Sequence, residues 1–391
     1  MGNAENIYIG GWFQRTTLHL SEIYDFLRDT KSPLELDGQK LKKLRSALNI
    51  KTVDFAVAPF DHLILVTENR IEVKIYEDGL IVLEISGSRS LDQDIKNLSD
   101  FYEKKLSPAL TYIFSLGAPV PKELANIKTI YPYFIVLKKA TEKEITQLLA
   151  RFNKQKYLEI RRKQFEIYRG DEFYIINNFS ETAANIECFI EQQVFIREFK
   201  SQLHRYLNLH RIIWQRIAAV KEKGTIRGKE VGMLKRQIES YRETINLIEA
   251  RIDQMGVYIR TREAIVRGNK NMANFLGVLD FKYETLIDTL GYIKDIWQMT
   301  KNYVNASLEL FGAIQAKSTE ASVKNLTVVT SMGVGATLIG LFSQKLPEFT
   351  LFGAFYFFVL VLVGYSTDKI MKVIYRYKRY QIKDTKIAKD I

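Results

Sequence analysis

The sequence predicts an α+β membrane protein: an N-terminal cytoplasmic α/β domain, long antiparallel coiled-coil helices with a stalk helix, and two C-terminal transmembrane helices. Three observations predict it. Short runs rich in Val, Ile and Leu, bounded by turn residues, occupy the chain to about residue 180. Helical patterns of great length then run without a proline until Pro347. Two uncharged stretches, residues 325–344 and 349–367, stand ahead of a basic tail. Each is close to the roughly 20 apolar residues that a helix needs to cross a bilayer core about 30 Å thick.

In order along the chain, YIGGWF opens with strand formers. Ser21 is placed to cap a short helix over SEIYDFLRD, and GQKLKKLRSALN reads as another. VDFAVAP, HLILVT, RIEVKIY and LIVLEIS read as strands, with YEDGL the hairpin turn between the last two. LDQDIKNLSDFYEKKLSPALTYIFSL has a helical apolar period interrupted at Pro108. TIYPYFIVLKK, YLEIRRKQFEIYRG and EFYIINN supply further strands, and ATEKEITQLLARF reads as a helix among them. A segment of this size can bury its own core. Residues 182–223 then form one long helical pattern, GTIRGKE a reversal, residues 231–267 a second long helix and GNKN another reversal. A third helix begins near Met272 with no stop before the first uncharged stretch. The expected boundaries are 1–180 for the α/β domain, 181–269 for the antiparallel helices and 270–323 for the stalk helix. Residues 324–345 and 349–367 are the two spans, and 368–391 the tail.

The chain carries 57 Lys and Arg against 45 Asp and Glu, a formal net charge of +12. Such a charge suits nucleic acid or an anionic membrane surface; with two spans present the membrane accounts for it, and no nucleic-acid partner is expected. The tail holds Lys369, Lys372, Arg376, Lys378 and Arg379, and basic residues flanking spans stay cytoplasmic. Two spans return the chain to its starting side, so both termini are expected in the cytoplasm of a multi-pass inner-membrane protein. MGNAENIYIGGWF has no apolar signal core, and MGNAEN lacks the Ser or Thr of a myristoylation pattern. The lone Cys188 makes no intramolecular disulfide. His19, His62, His204 and His210 lack zinc-site spacing, and no phosphate loop, nucleophile elbow or kinase motif is present. The chain is not expected to be an enzyme or to need a cofactor.

The third helix carries the functional signal. At about 100° per residue, Asp280, Glu284, Asp288, Asp295, Gln298, Asn302, Asn305 and Glu309 fall on one stripe. Leu279, Tyr283, Leu286, Leu290, Ile293, Trp297, Val304 and Leu308 fall on another side. The polar stripe is either a solvated face or, when copies of the helix assemble, the lining of an axial path that attracts and senses divalent cations, which carboxylate and amide oxygens ligate well. Within the first span Thr327, Thr330, Ser331, Thr337 and Gln344 share an arc. A lumen or a partner helix rewards such an arc, unless the hydroxyls turn back onto helix carbonyls. Gly333, Ala336 and Gly340 form a small-residue face that allows close helix packing. The second span, FTLFGAFYFFVLVLVGY, is bulky and aromatic nearly all round, as suits a lipid-facing helix.

NLTVVTSMGVGATLIGLF and LPEF resemble the Leu-Thr-containing first span and the Met-Pro-Glu-Leu loop of the CorA family of two-span divalent-cation channels. The layout resembles that family over nearly the whole chain. The resemblance implies a homopentamer in the bilayer, with magnesium or another divalent cation as cargo or regulator. It implies pore-facing positions at Leu326, Thr330, Val334, Thr337, Leu341 and Gln344, with Leu326, Val334 and Leu341 as apolar constrictions. The family's Gly-Met-Asn signature is absent. Ser343, Gln344 and Lys345 stand at that pore mouth in a shorter loop, so magnesium selectivity is not implied and no metal ligands are assigned.

Three functional readings follow. The first is a CorA-like oligomeric channel or transporter passing cations. The second keeps the pore but opens it with a nucleotide second messenger, as in CorA-like effectors of CRISPR antiviral defence, with Arg161, Arg162 and Tyr168 as ligand contacts. The third is a non-conducting, membrane-tethered coiled-coil scaffold.

Overall fold

The computed structural model describes residues 4–12, 19–57, 60–87, 90–114, 132–152, 158–170, 172–221 and 225–342, separate helical positions between 355 and 377, and 378–381. It divides into two compact units, Met1–Leu207 with Ile248–Lys294, and Asn208–Leu247 with Asp295–Ile391.

The first unit begins with β1 (Ala4–Trp12), α1 (Leu20–Asp29), α2 (Gly38–Ala47), β2 (Ile50–Ala56), β3 (His62–Thr67), β4 (Ile71–Tyr76) and β5 (Leu80–Ser86). Next come α3 (Leu91–Phe101), a π-helical turn at Tyr102–Leu106, α4 (Ser107–Ile113), β6 (Tyr133–Lys138) and α5 (Glu142–Arg151). β7 (Leu158–Arg161), β8 (Phe165–Arg169) and β9 (Phe173–Asn178) complete a nine-stranded sheet in the order β2-β3-β4-β5-β1-β6-β9-β8-β7. Its pairs are antiparallel except β6 with β9. Three long helices, α6 (Ala183–Lys221), α7 (Gly228–Gly268) and α8 (Ala273–Phe342), each contribute to both units.

Strand alternation makes the sheet two-faced. On one face Ile7, Ile9, Leu65, Val73, Leu83 and Ile135 join Ile23, Phe26, Leu98, Leu110 and Ile145 in a single apolar core under α1 to α5. Each such side chain contributes about 1.5–3 kcal/mol by leaving water. The other face receives α6. Trp12 packs against Phe195 and Phe199, with ring centroids 6.1 and 5.5 Å away. Gly10 marks the closest approach: a Cβ there would stand 2.8 Å from Val194 Cγ1 and 2.7 Å from the Ile81 carbonyl oxygen.

Two local expectations are corrected. His19, not Ser21, caps α1, and the Glu22 carboxylate accepts from the His19 backbone N–H at 2.7 Å. The helix starts early because Leu20 belongs to the core. The interruption at Pro108 is a π-helical turn at Tyr102–Leu106, just before the proline. Pro108 has no N–H, and its ring crowds the carbonyl four residues back, so a regular α-turn cannot pass through it. The widened turn absorbs the mismatch.

Side-chain contacts give the directions of the long helices. In the first unit Arg267 lies 3.5 Å from Asp280 and Lys294 2.5 Å from Asp253. Numbers fall in α7 as they rise in α8, so the two are antiparallel. α6 runs parallel to α8: Phe189 stacks on Phe275, and the Tyr283 hydroxyl donates to Gln192 at 2.6 Å. In the second unit Trp214 stacks on Tyr303 at 4.6 Å, and Lys235 donates to Gln315 at 3.3 Å. There, β10 (Thr225–Arg227), at the reversal after α6, pairs antiparallel with β11 (Arg379–Gln381) of the tail. The Gly228 N–H donates to the Lys378 carbonyl at 2.9 Å, and Ile226 is buried.

Among the described residues, no helix is long and apolar enough to cross a membrane. Of the expected spans, 324–345 is helical in backbone as far as Phe342, and 349–367 falls mostly outside the described residues.

Candidate functional site

The acidic stripe of α8 is outward-facing within the chain. Glu284, Asp288, Asp295, Gln298, Asn302 and Glu309 are exposed, while Asp280 and Asn305 are half-buried. Leu279, Tyr283, Ile293, Trp297 and Val304 on the other side are fully buried. The helix therefore spends its apolar side on packing and holds its carboxylates in water. Asp280 is partly met by Arg267, and Gln298 donates to Asn302 at 3.2 Å.

Farther along α8, Thr327, Thr330, Ser331 and Val334 are exposed on one helical face. Thr330 and Val334 are thus adjacent, one turn apart. The Ser331 hydroxyl donates to the Thr327 carbonyl at 2.7 Å, so that polar group is satisfied within the helix. The side chains of Leu326, Thr337 and Leu341, the small-residue positions Gly333, Ala336 and Gly340, and the mouth residues Ser343, Gln344 and Lys345 lie outside the described residues. Between 355 and 377, Phe355, Phe358, Leu362, Tyr365, Ile370 and Val373 are helical and each more than half exposed. Phe355, Phe358, Leu362 and Tyr365 recur at three- and four-residue intervals, which places them on one helical face; a five-residue step past Ser366 and Lys369 separates them from Ile370 and Val373.

Arg161, Arg162 and Tyr168 do not assemble into one open surface. Arg161 sits among Glu159, Glu142 and Glu166 at 2.5, 3.6 and 3.9 Å. Tyr168 is buried, its hydroxyl donating to Glu166 at 3.0 Å.

Sequence reasoning missed an ionic network between the sheet and α6. On β4, Glu72, Lys74 and Tyr76 share the face toward that helix, and Glu84 on β5 stands opposite Glu72 in register. From α6, Glu187 pairs with Lys74, and Glu191 accepts from the Tyr76 hydroxyl. One carboxylate oxygen each of Glu72, Glu84 and Glu187 lies within 4.8 Å of the others; among the described residues this is the group that could hold a metal ion. The Lys74 ammonium already touches Glu187 and stands 3.9 Å from Glu72, so a cation is built into the cluster. Burial lowers the affinity of Lys74 for its proton, but Glu187 more than offsets this and the net shift is upward. Burial raises Glu84 and Glu191 above the usual carboxylate range. Burial also pushes the neighbouring Cys188 thiol up to about 11, which makes it a poor nucleophile. A signal was present: Glu187 and Glu191, one turn apart, could face Lys74 only if α6 covered the charged side of β4.

No family model matches the chain, and no curated protein matches it. Among solved structures, the soluble domain of CorA from Methanocaldococcus jannaschii is similar to 45% of this chain and 89% of its own length, at 8% identity and a TM-score of 0.19. A likeness that slight carries no argument about mechanism, and function rests on the chain's own residues.

Proposed function

We propose that the chain is the subunit of a CorA-like oligomeric membrane channel or transporter that passes cations. The observation that carries this reading is the route of the tail. Asp295–Ile391 belongs to one unit; along it the uncharged stretches 325–344 and 349–367 come between α8 and β11, yet β11 is brought back to pair with β10. Two crossings of one bilayer require such a return, and a single anchor forbids it. The exposed side chains of Phe355, Phe358, Leu362 and Tyr365 are then the ones that meet acyl chains. Thr330, Val334 and Thr337, with Leu326, Leu341 and Gln344, form the path, and apolar rings at Leu326, Val334 and Leu341 gate it by dewetting. The exposed carboxylates Glu284, Asp288 and Asp295 raise the local cation concentration on the cytoplasmic side. Lys345 in place of a Gly-Met-Asn mouth argues against strict magnesium selectivity.

Flux through the full-length protein in liposomes tests the proposal, with magnesium, other divalent and monovalent cations compared. Cation flux is expected, and Thr337→Lys is expected to cut it by about tenfold or more, since an ammonium in a narrow, low-dielectric path repels cations. Absence of flux for every ion would leave the scaffold reading in its place.

A further inference from the structure

A cleft of about 690 Å³ opens in the first unit, a size suited to a small-molecule ligand. One wall is the turn between β3 and β4, which contributes Asn69 and Arg70; the other is the end of α3 and the π-helical turn, which contribute Asn97, Lys104 and Lys105. Ile71 and Phe101 supply an apolar floor. The first wall carries a backbone conformation that a non-glycine residue adopts at a cost. Arg70 stands at φ 62°, the left-handed position where such hairpins ordinarily place Gly or Asn. The opposite wall is the π-turn that Pro108 imposes. Charge is uneven as well. Lys104 is held by Asp100 at 2.8 Å, whereas Arg70 and Lys105 have no ion-pair partner among the described residues, and Glu68 is the remaining acid of the walls.

We propose that this cleft binds a small phosphorylated molecule, with Arg70 gripping a phosphate through its planar fork, Lys105 adding a second charge, and the Asn69 and Asn97 amides donating to further oxygens. The site uses no residue of α8, so it stands apart from the conduction reading.

Titration calorimetry of the full-length protein in detergent, with inorganic pyrophosphate and separately with AMP, tests the proposal. Saturable binding of at least one probe is expected, weakened about tenfold or more in Arg70→Gly and in Lys105→Ala, because each variant removes a charge-assisted contact. Arg70→Gly has a second readout. Glycine takes the left-handed turn without steric cost, so the ligand-free melting temperature should hold or rise while binding is lost. No saturable binding of either probe to the wild type, or undiminished binding by both variants, overturns the proposal. So does a fall in the Arg70→Gly melting temperature, since Arg70 would then be serving the fold.

Discussion

Asp78 anchors three elements through one residue. It is fully buried, its carboxylate accepts from Arg262 Nε and Nη2 at 2.6 and 2.9 Å, and it also accepts from the Leu80 N–H at 3.1 Å. Its carbonyl accepts from Trp12 Nε1 at 2.7 Å. The Arg262 guanidinium lies 4.6 Å from the Tyr76 ring centroid and 5.5 Å from that of Phe195. Burial alone would lower its affinity for a proton, but Asp78 raises it further. Asp78→Asn keeps the shape and strands a buried cation, so it should cost about 3–5 kcal/mol in chemical denaturation. A loss below about 1 kcal/mol, as for an exposed pair, would show that the pair is solvated. Glu198 on α6 makes the opposite case. Burial pushes its carboxyl from 4.5 up to about 8, with Arg197 and Arg205 pulling it down. Between those values the unfolded chain has released a proton that the folded chain keeps, so stability falls as pH rises through that window and levels off above it. Glu198→Gln should therefore be more stable than wild type by at most about 3 kcal/mol at neutral pH, with the gap closing toward pH 4.5. Melting curves at pH 5 and pH 8 check this; equal gaps at both would mean that the folded protein ionises Glu198.

Elements whose two sides face different surroundings were legible in the sequence. α8 buries Tyr283, Ile293, Trp297 and Val304 and exposes Glu284, Asp288 and Asp295, so its period appears in the residues themselves. β3, β4 and β5 were legible from β-branched runs punctuated by turns, with Gly79 at φ 90° in the YEDGL hairpin. What covers each face was not legible. Glu72 and Lys74 alternate with Ile71, Val73 and Ile75 as a solvated face would, yet α6 lies over them. The partners are far apart in the chain, Lys74 with Glu187 and Asp78 with Arg262, and local periodicity holds no information about such pairings. α6 conceals its own role because it is enclosed by the sheet and α8, so Gln192, Gln193 and Gln202 are buried beside Phe189, Phe195 and Phe199. The small residue at Gly10 was a local hint of that close approach. Of the candidate sites, the acidic stripe was visible as a helical pattern. The cleft beside Arg70 was not, because TENR carries no glycine to announce a left-handed turn.

For the whole molecule, the pairing of β10 with β11 makes topology a measurable quantity. Arg227 stands opposite Arg379 in the register, and both are exposed. Facing residues of an antiparallel pair have Cα atoms about 4.5–5.5 Å apart, within the range a disulfide spans. Two arginines facing each other also repel, so replacing them should not weaken the pair. With Cys188→Ser removing the native thiol, the double variant Arg227→Cys/Arg379→Cys should form an intramolecular disulfide on mild oxidation in intact membranes, seen as a reducible shift in electrophoretic mobility. Each single variant should be labelled by an impermeant thiol reagent from the same side of sealed vesicles. That outcome requires the chain between 325 and 378 to cross the bilayer an even number of times, as the proposed two-span channel does, so that the tail stays beside the reversal between α6 and α7. Labelling from opposite sides would place an odd number of crossings between β10 and β11, separate the two strands by the membrane, and remove the structural basis for a two-span channel.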